Sequence, residues 1–332
     1  MPANKDHTNP FSIRLFEEQG HEEQLQTDFE KFYTTNLQPF LARLEAEAKA
    51  YKNWKHFTIG CAVLALVFLL LYQFFKVQSG VVTGLILLLI AATGVYFTTK
   101  KNEEFIDDFK EKIISRIIHH ISPAAVYKPM QYLSKKEYRL SGLYRRRFTD
   151  YDGDDYWKAS YRGVNFHCSE LMVRYEDSTT ATTIFKGLFI AATISGYYNN
   201  GTYVWTKGAS QLPVSMADEN YRMYPLPGIE KYYALTESFK DYFSVYSSNF
   251  SETQQLLTPA LQQKMIQLKE RTGRDIVFSF VAGKCFIAVP MEENLLEPTV
   301  AGLHDKGSYK KYFFTFLLVF NIVQELELNR LQ

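Results

Sequence analysis

Excess charge of either sign is missing from this 332-residue chain: 37 Lys and Arg stand against 36 Asp and Glu, a formal net charge of +1. Without a global positive field, nucleic acid is not expected as a partner. Cysteine is scarce as well. Cys61, Cys168 and Cys285 lie far apart with no Cys-x-x-Cys spacing, which argues against a disulfide framework or a zinc ribbon. Residues 1–20 are polar and lack an apolar core segment, so no cleavable signal peptide is expected. Phe185-Lys186-Gly187-Leu188 has one glycine and no following helix, unlike a phosphate loop. No cofactor and no metal centre are expected.

Two long runs are free of any charge. Phe57–Phe75 and Val81–Thr99 are each 19 residues, separated by the short break 76–80. A helix of that length rises about 28 Å, close to the hydrocarbon thickness of a bilayer. The break allows only a tight turn, so the pattern predicts an antiparallel transmembrane hairpin over 57–99. Arg43, Lys49, Lys52 and Lys55 precede the first run, and Lys100, Lys101, Lys110, Lys112 and Arg116 follow the second. Only Lys76 lies between them. The positive-inside rule then puts both termini in the cytoplasm, with two spans in the inner membrane. The runs contain Thr58, Gln73, Thr83 and Thr93 but no ionisable group, which argues against transport by this chain alone. Gly60, Ala65, Gly84 and Gly94 are small positions suited to close packing between helices or between protomers of a homo-oligomer.

On either side of the hairpin the apolar spacing becomes amphipathic. Leu25, Phe29, Phe32, Leu37, Phe40, Leu41 and Leu44 recur at steps of three and four, predicting a helical arm over 1–56 with Pro39 as a kink or start. Phe105, Ile106, Phe109, Ile113, Ile117 and Ile121 predict a stalk helix over 100–126 that packs on this arm. Pro123 and Pro129 then end it. Residues 131–145 read as a short helix and a strand. From Trp157 the texture changes to strands: a pair turning near Arg162-Gly163, a strand over 182–194 with Gly187 as a bulge or close approach, a hairpin signal at Asn199-Asn200-Gly201, and a strand over 243–247. Residues 206–235, with three prolines, read as a long excursion. Thr258-Pro259 opens a helix that Gly273 stops, a hairpin surrounds Ala282-Gly283-Lys284, and an apolar helix over 308–328 completes the core. The expected class is α+β: the transmembrane hairpin plus a cytoplasmic domain over 127–332, its mostly antiparallel sheet covered by helices.

Several short motifs resemble a known family. Ser141-Gly142-Leu143-Tyr144, Gly163-Val164-Asn165-Phe166 with Ser169-Glu170-Leu171, Ile184-Phe185-Lys186-Gly187-Leu188-Phe189, Phe243-Ser244-Val245-Tyr246-Ser247, Leu257-Thr258-Pro259 and Phe278-Ser279-Phe280 follow in fixed order. The series is similar to a widespread bacterial family of uncharacterised membrane-anchored proteins, catalogued as a domain of unknown function. The resemblance spans the hairpin and nearly all of 130–330. It implies a two-helix anchor with a cytoplasmic domain and supplies no catalytic residues.

Candidate chemistry is sparse. In Asp150–Asp155 the carboxylates of Asp150, Asp152 and Asp154 alternate as oxygen ligands of a hard cation would, yet Gly153 and Tyr161 break the EF-hand pattern, and a solvated turn before a strand is the simpler reading. His167, Cys168 and Glu170 suggest a nucleophile and base, but adjacent strand residues point to opposite faces. Ser169-Glu170 instead suits loop anchoring by hydrogen bonds. The adjacent pair His119-His120 lacks the spacing of helical zinc ligands and fits a helix C-terminus. Arg145, Arg146 and Arg147 form a basic run able to touch lipid headgroups or to remain solvated. The expected function is a membrane-anchored binding or adaptor protein, using the bilayer and a membrane or cytoplasmic protein as partners, with Arg145–Arg147, Asp152, Asp154 and Glu170 as binding candidates. The competing expectation is a membrane-tethered, metal-assisted enzyme using the acidic stretch 150–155 or Glu170.

Overall fold

The computed structural model describes residues 21–75, 78–179, 181–194, 200–207 and 228–331. Most of the excursion expected at 206–235, together with Asn199, lies outside the described residues. The fold is α+β: two long apolar helices packed together, and a nine-stranded antiparallel sheet with helices. The chain divides into two compact units, one built from Thr27–Arg116 and Glu297–Tyr309, the other from Ile117–Leu296, the chain from Lys310 and, among the described N-terminal residues, His21–Gln26.

In the helical unit, α1 (His21–Phe32) passes through a π-turn at Tyr33–Leu37 into α2 (Gln38–Phe75), with Pro39 in its first turn. The helix is continuous through the π-turn, so proline's missing N–H falls in its interior, directly after the local widening that accommodates it. Next come α3 (Gln78–Phe109), a second π-turn at Lys110–Ile114, and α4 (Ser115–Ile121). The break between the long helices is therefore shorter than the five residues expected, because Gln78 already belongs to α3. Along the apolar runs the helices meet closely. A Cβ on Gly94 would come within 2.5 Å of Thr58 Oγ1, and one on Gly84 within 2.9 Å of Leu69, whereas Gly60 has open space around it. Beyond the runs, Leu41, Leu44, Ala48, Phe105, Phe109 and Ile113 are buried, so the arm and the stalk pack on each other. Glu297–Tyr309, far along the chain, completes this base. Tyr309 stacks on Phe109 at 5.7 Å and meets Tyr33 edge-on at 5.5 Å, while Glu297 pairs with the buried Lys110 at 3.4 Å.

The sheet unit begins with β1 (Val126–Lys128), then the short helix α5 (Lys135–Ser141), capped by the Ser134 hydroxyl accepting from the Glu137 amide and closed by Gly142 in the left-handed region. The long strands β2 (Asp150–Tyr161), β3 (Val164–Glu176) and β4 (Ala181–Thr193) follow, then β5 (Thr202–Thr206), β6 (Glu230–Tyr232), α6 (Glu237–Tyr242), β7 (Phe243–Ser247), α7 (Phe250–Leu256), α8 (Pro259–Thr272), β8 (Val277–Val281), β9 (Lys284–Pro290) and α9 (Lys306–Glu325). The order across the sheet is β1-β2-β3-β4-β9-β8-β5-β7-β6. Two expectations are corrected. The strand expected within 131–145 is absent among the described residues, where α5 is the regular element. The Asn199–Gly201 signal does not join a hairpin either: β9 and β8 lie between β4 and β5.

Strand alternation sorts the core into two layers. Leu171, Val173, Phe185, Phe189, Phe286 and Ala288 share one face with Tyr138 of α5 and Leu143 and Tyr144 just after it. On the opposite face Trp157 and Phe166 meet Phe316 and Phe320 of α9 at 5.2–5.6 Å. The apolar helix near the end of the sequence is thus a core helix, as its shortness implies. Gly187 is a close approach: its φ is +143°, and a Cβ would lie 2.3 Å from the Val289 carbonyl oxygen.

Candidate functional site

The acidic stretch expected as a turn is strand, because Tyr151 and Trp157 are drawn into the core and carry the backbone between them in extended form. Asp150–Asp154 pair with Arg174–Glu170, and the register then slips so that Trp157 meets Cys168. The slip is a bulge at Asp155, whose φ is +53°. The Asp155 amide donates to the Pro129 carbonyl at 2.8 Å, and the Tyr127 hydroxyl donates to Asp155 Oδ1. Asp155 is buried, and the Tyr127 hydroxyl supplies its carboxylate with a hydrogen bond in place of water. At Gly153 the partner strand leaves no room for a side chain: a Cβ would lie 2.3 Å from the Glu170 carbonyl oxygen.

The consequence is a cleft of about 270 Å³ lined by Asp152, Asp154, Glu170, Met172, Arg174, Lys186 and Asn294 with Gly153 and Leu171. Three sequence candidates, Asp152, Asp154 and Glu170, come together here. The carboxylates of Asp154, Asp155 and Glu170 offer oxygens within 4.8 Å of one another, a set of hard donors able to hold a divalent cation. Glu170, Arg174 and Lys186 also have structural work. Glu170 is only 7% exposed, and its Oε2 accepts from the Leu295 amide at 2.9 Å. Arg174 lies between Asp150 at 3.7 Å and Glu176 at 3.5 Å, and Lys186 Nζ donates to the Glu292 carbonyl at 2.6 Å. Among the described residues, the lining contains no histidine, serine or cysteine. Acid–base work there would fall to the carboxylates and to the Lys186 amine.

His167 and Cys168 point to opposite faces, as alternation requires. Cys168 is fully buried beneath α9, and burial pushes its thiol far above the ordinary range, so it is no nucleophile. Ser169 and Glu170 each anchor a segment, also on opposite faces: Ser169 Oγ accepts from the Leu133 amide at 3.0 Å, and Glu170 from Leu295. His167 belongs to a cluster that the linear sequence does not announce. Glu137 Oε1 accepts from His167 Nε2 at 3.0 Å and from Lys284 Nζ at 2.7 Å. The His167 and Lys284 hydrogen bonds hold the Glu137 carboxyl down at about 2, against the opposing effect of burial. The three residues are 30 and 147 positions apart in the chain as bonded pairs, which is why no local spacing reveals them.

The arginine run is divided. Arg145 is 8% exposed, Arg146 lies 5.2 Å over the Tyr175 ring, and Arg147 is exposed. They do not form one face. His119 and His120 occupy the last turn of α4, where the helix dipole favours cationic groups, and His120 lies 6.2 Å from the Phe313 ring.

Comparison with known proteins gives a family match over part of the chain and a remote structure. Residues 183–328 match the family described as Protein of unknown function (DUF3137). The match includes Lys186 and Asn294 of the cleft; the carboxylates of Asp152, Asp154 and Glu170 precede it. The helix pair also lies outside it, so membrane anchoring is not part of what the family match carries. No curated protein matches the chain. The crystal structure of the mycobacterial trehalose monomycolate transport factor A, TtfA, aligns with 61% of this chain and 94% of its own at 12% identity and a TM-score of 0.31, a likeness too slight to transfer a role.

Proposed function

We propose that this protein is a membrane-anchored binding protein, in which α2 and α3 cross the bilayer and the sheet unit presents a ligand cleft on the cytoplasmic side. One observation carries the anchoring: both helices are long and apolar enough to cross a membrane, and their large side chains face outward. Phe57 is 52% exposed, Leu66 58%, Leu89 69% and Phe74 74%. Soluble monomers rarely expose apolar surface on that scale, and lipid is the solvent that suits it. The cationic flanks support cytoplasmic termini. Binding at the cleft is supported by its concavity and its mixed charges, Asp152, Asp154 and Glu170 beside Arg174 and Lys186.

The anchoring is tested with Lys52→Cys and Ser79→Cys chains in intact cells and in inverted membrane vesicles. The native cysteines are buried and react slowly with an impermeant maleimide. Labelling of position 79 from the outside and of position 52 only from the cytoplasmic side is expected. Release of the chain by alkaline carbonate, or equal labelling of both positions, contradicts the reading.

Metal-assisted chemistry is the rival, favoured by the oxygens of Asp154, Asp155 and Glu170 within 4.8 Å of one another. Calorimetric titration of the detergent-solubilised chain with Mg²⁺, Ca²⁺ and Mn²⁺ separates the two. Saturable binding abolished by Asp154→Asn establishes the cation site on which the rival depends; no saturable binding of any ion, at two temperatures, removes it.

A further inference from the structure

Neither the cleft nor the anchor uses the segment between α4 and β2, whose charge is out of proportion to the chain. Residues 122–149 hold seven Lys and Arg against a single acid, Glu137, in a protein of net charge +1. Glu137 does not offset them at the surface, because it is engaged by His167 and Lys284. Lys128, Lys135, Lys136 and Arg139 are exposed. Between them stand exposed apolar side chains: Met130 at 71%, Leu140 at 40%, Val126 at 38% and Tyr132 at 37%.

Val126–Lys128 pair with Lys158–Tyr156 of β2, and the Asp155 and Tyr156 amides donate to the Pro129 and Gln131 carbonyls, so 126–131 runs as a ridge along the β2 edge toward Tyr132 and α5. The Tyr132 ring is 5.8 Å from that of Tyr151, and Lys135 Nζ lies 5.8 Å over the same Tyr151 ring. Arg139 lies 5.0 Å over Phe148, whose ring is 5.4 Å from Tyr151. On α5 the pairs Lys135/Arg139 and Lys136/Leu140 are four residues apart, so each falls on one stripe of the helix.

We propose that this ridge is a docking surface for an anionic lipid bilayer. Four exposed cations meet the number that recognises acidic headgroups. The aliphatic side chains decide between polyanions: Met130, Leu140 and Val126 gain by entering the acyl boundary, while a phosphodiester backbone offers them nothing. The inference goes beyond the anchoring, which concerns α2 and α3, and the two can fail separately.

The test uses the full chain carrying Met130→Cys, labelled with a polarity-sensitive fluorophore and held in phosphatidylcholine nanodiscs. Vesicles of phosphatidylcholine alone, or with phosphatidylglycerol, are added, and a parallel sample has phosphatidylglycerol in the nanodisc itself. A blue shift is expected with phosphatidylglycerol in either arrangement and not with phosphatidylcholine alone. With Lys135→Gln, Lys136→Gln and Arg139→Gln together, the lipid needed for the half-maximal shift in the vesicle titration rises about a hundredfold, at roughly fivefold per charge. No shift in either arrangement, an equal shift with phosphatidylcholine, an unchanged triple variant, or the same shift on adding single-stranded DNA overturns the ridge. Failure of the chain to enter nanodiscs counts against the anchor alone, and the same chain in an amphipathic polymer then decides the ridge with added vesicles.

Discussion

The helix pair and the sheet unit solve the problem of apolar side chains in opposite directions. In α2 and α3, Leu66 and Leu89 face outward, and what is buried between the helices is small: Cys61, Ala65 and Ala91. In the sheet, Phe185, Phe189, Phe278 and Phe286 are fully buried, and the exposed positions are mostly polar. A water-driven core gathers its largest side chains inside. A lipid-facing pair gains nothing by hiding leucines and uses small residues to bring backbones together. On the membrane-anchored reading proposed above, the same chain follows two solvent rules.

Mutations of similar chemistry should then have unlike effects. Phe189→Ala in the sheet empties a closed site and lowers stability by about 3–5 kcal/mol in a denaturant titration of the reconstituted chain. Leu89→Ala, 69% exposed, should change stability by less than about 1 kcal/mol in the same bilayer sample. Equal losses would erase the distinction. Gly187→Ala is next in size. It forces a Cβ against the Val289 carbonyl at a φ of +143°, and a loss of about 1–3 kcal/mol is expected.

Ionisable groups sharpen the contrast with smaller effects. Glu137 has its folded pKa depressed to about 2 by its hydrogen bonds from His167 and Lys284. Its contribution is fully present above the ordinary carboxylate pKa of about 4.3 and is lost as pH falls through that value toward 2. Glu137→Gln should therefore flatten the acid limb of the stability profile and leave the limb above pH 7 unchanged in slope. Glu47, at the base of α2, behaves with the opposite sign. Burial, with the hydrogen bond it shares with Asp108, raises it to about 7, and its buried Oε2 has no donor to accept from. Ionising it costs stability as pH rises from its unfolded value toward 7, so Glu47→Gln should stabilise the helical base at pH 8 and do so much less at pH 5. Melting curves at the two pH values read this directly.

The two regions also differed in what their sequences reveal. The helix pair is written in composition: two charge-free runs have few alternatives, and α2 and α3 follow them. Strands β2, β3 and β4 are legible from alternation, and α8 from Thr258-Pro259 and Gly273. The order of the sheet is not, since nothing local tells β4 to pair with β9 across a hundred residues. The acidic stretch misleads for a related reason. Asp150, Asp152, Asp154 and Asp155 argue for a turn, but burial of Tyr151 and Trp157 outweighs that preference and a bulge absorbs the mismatch. Asp152, Asp154 and Glu170 stood out as carboxylates; that they share a cleft with Lys186 and Asn294 depends on register and on the Leu295–Glu170 bond.

The central claim is that lipid, not protein or water, covers α2 and α3. Spin labels at Leu66→Cys and Leu89→Cys, with the chain in bilayers, test it most directly. High collision rates with oxygen and low rates with a water-soluble nickel chelate are predicted at both positions. High accessibility to the nickel chelate, or low accessibility to both reagents, would contradict it: the first places the helices in water, the second inside protein.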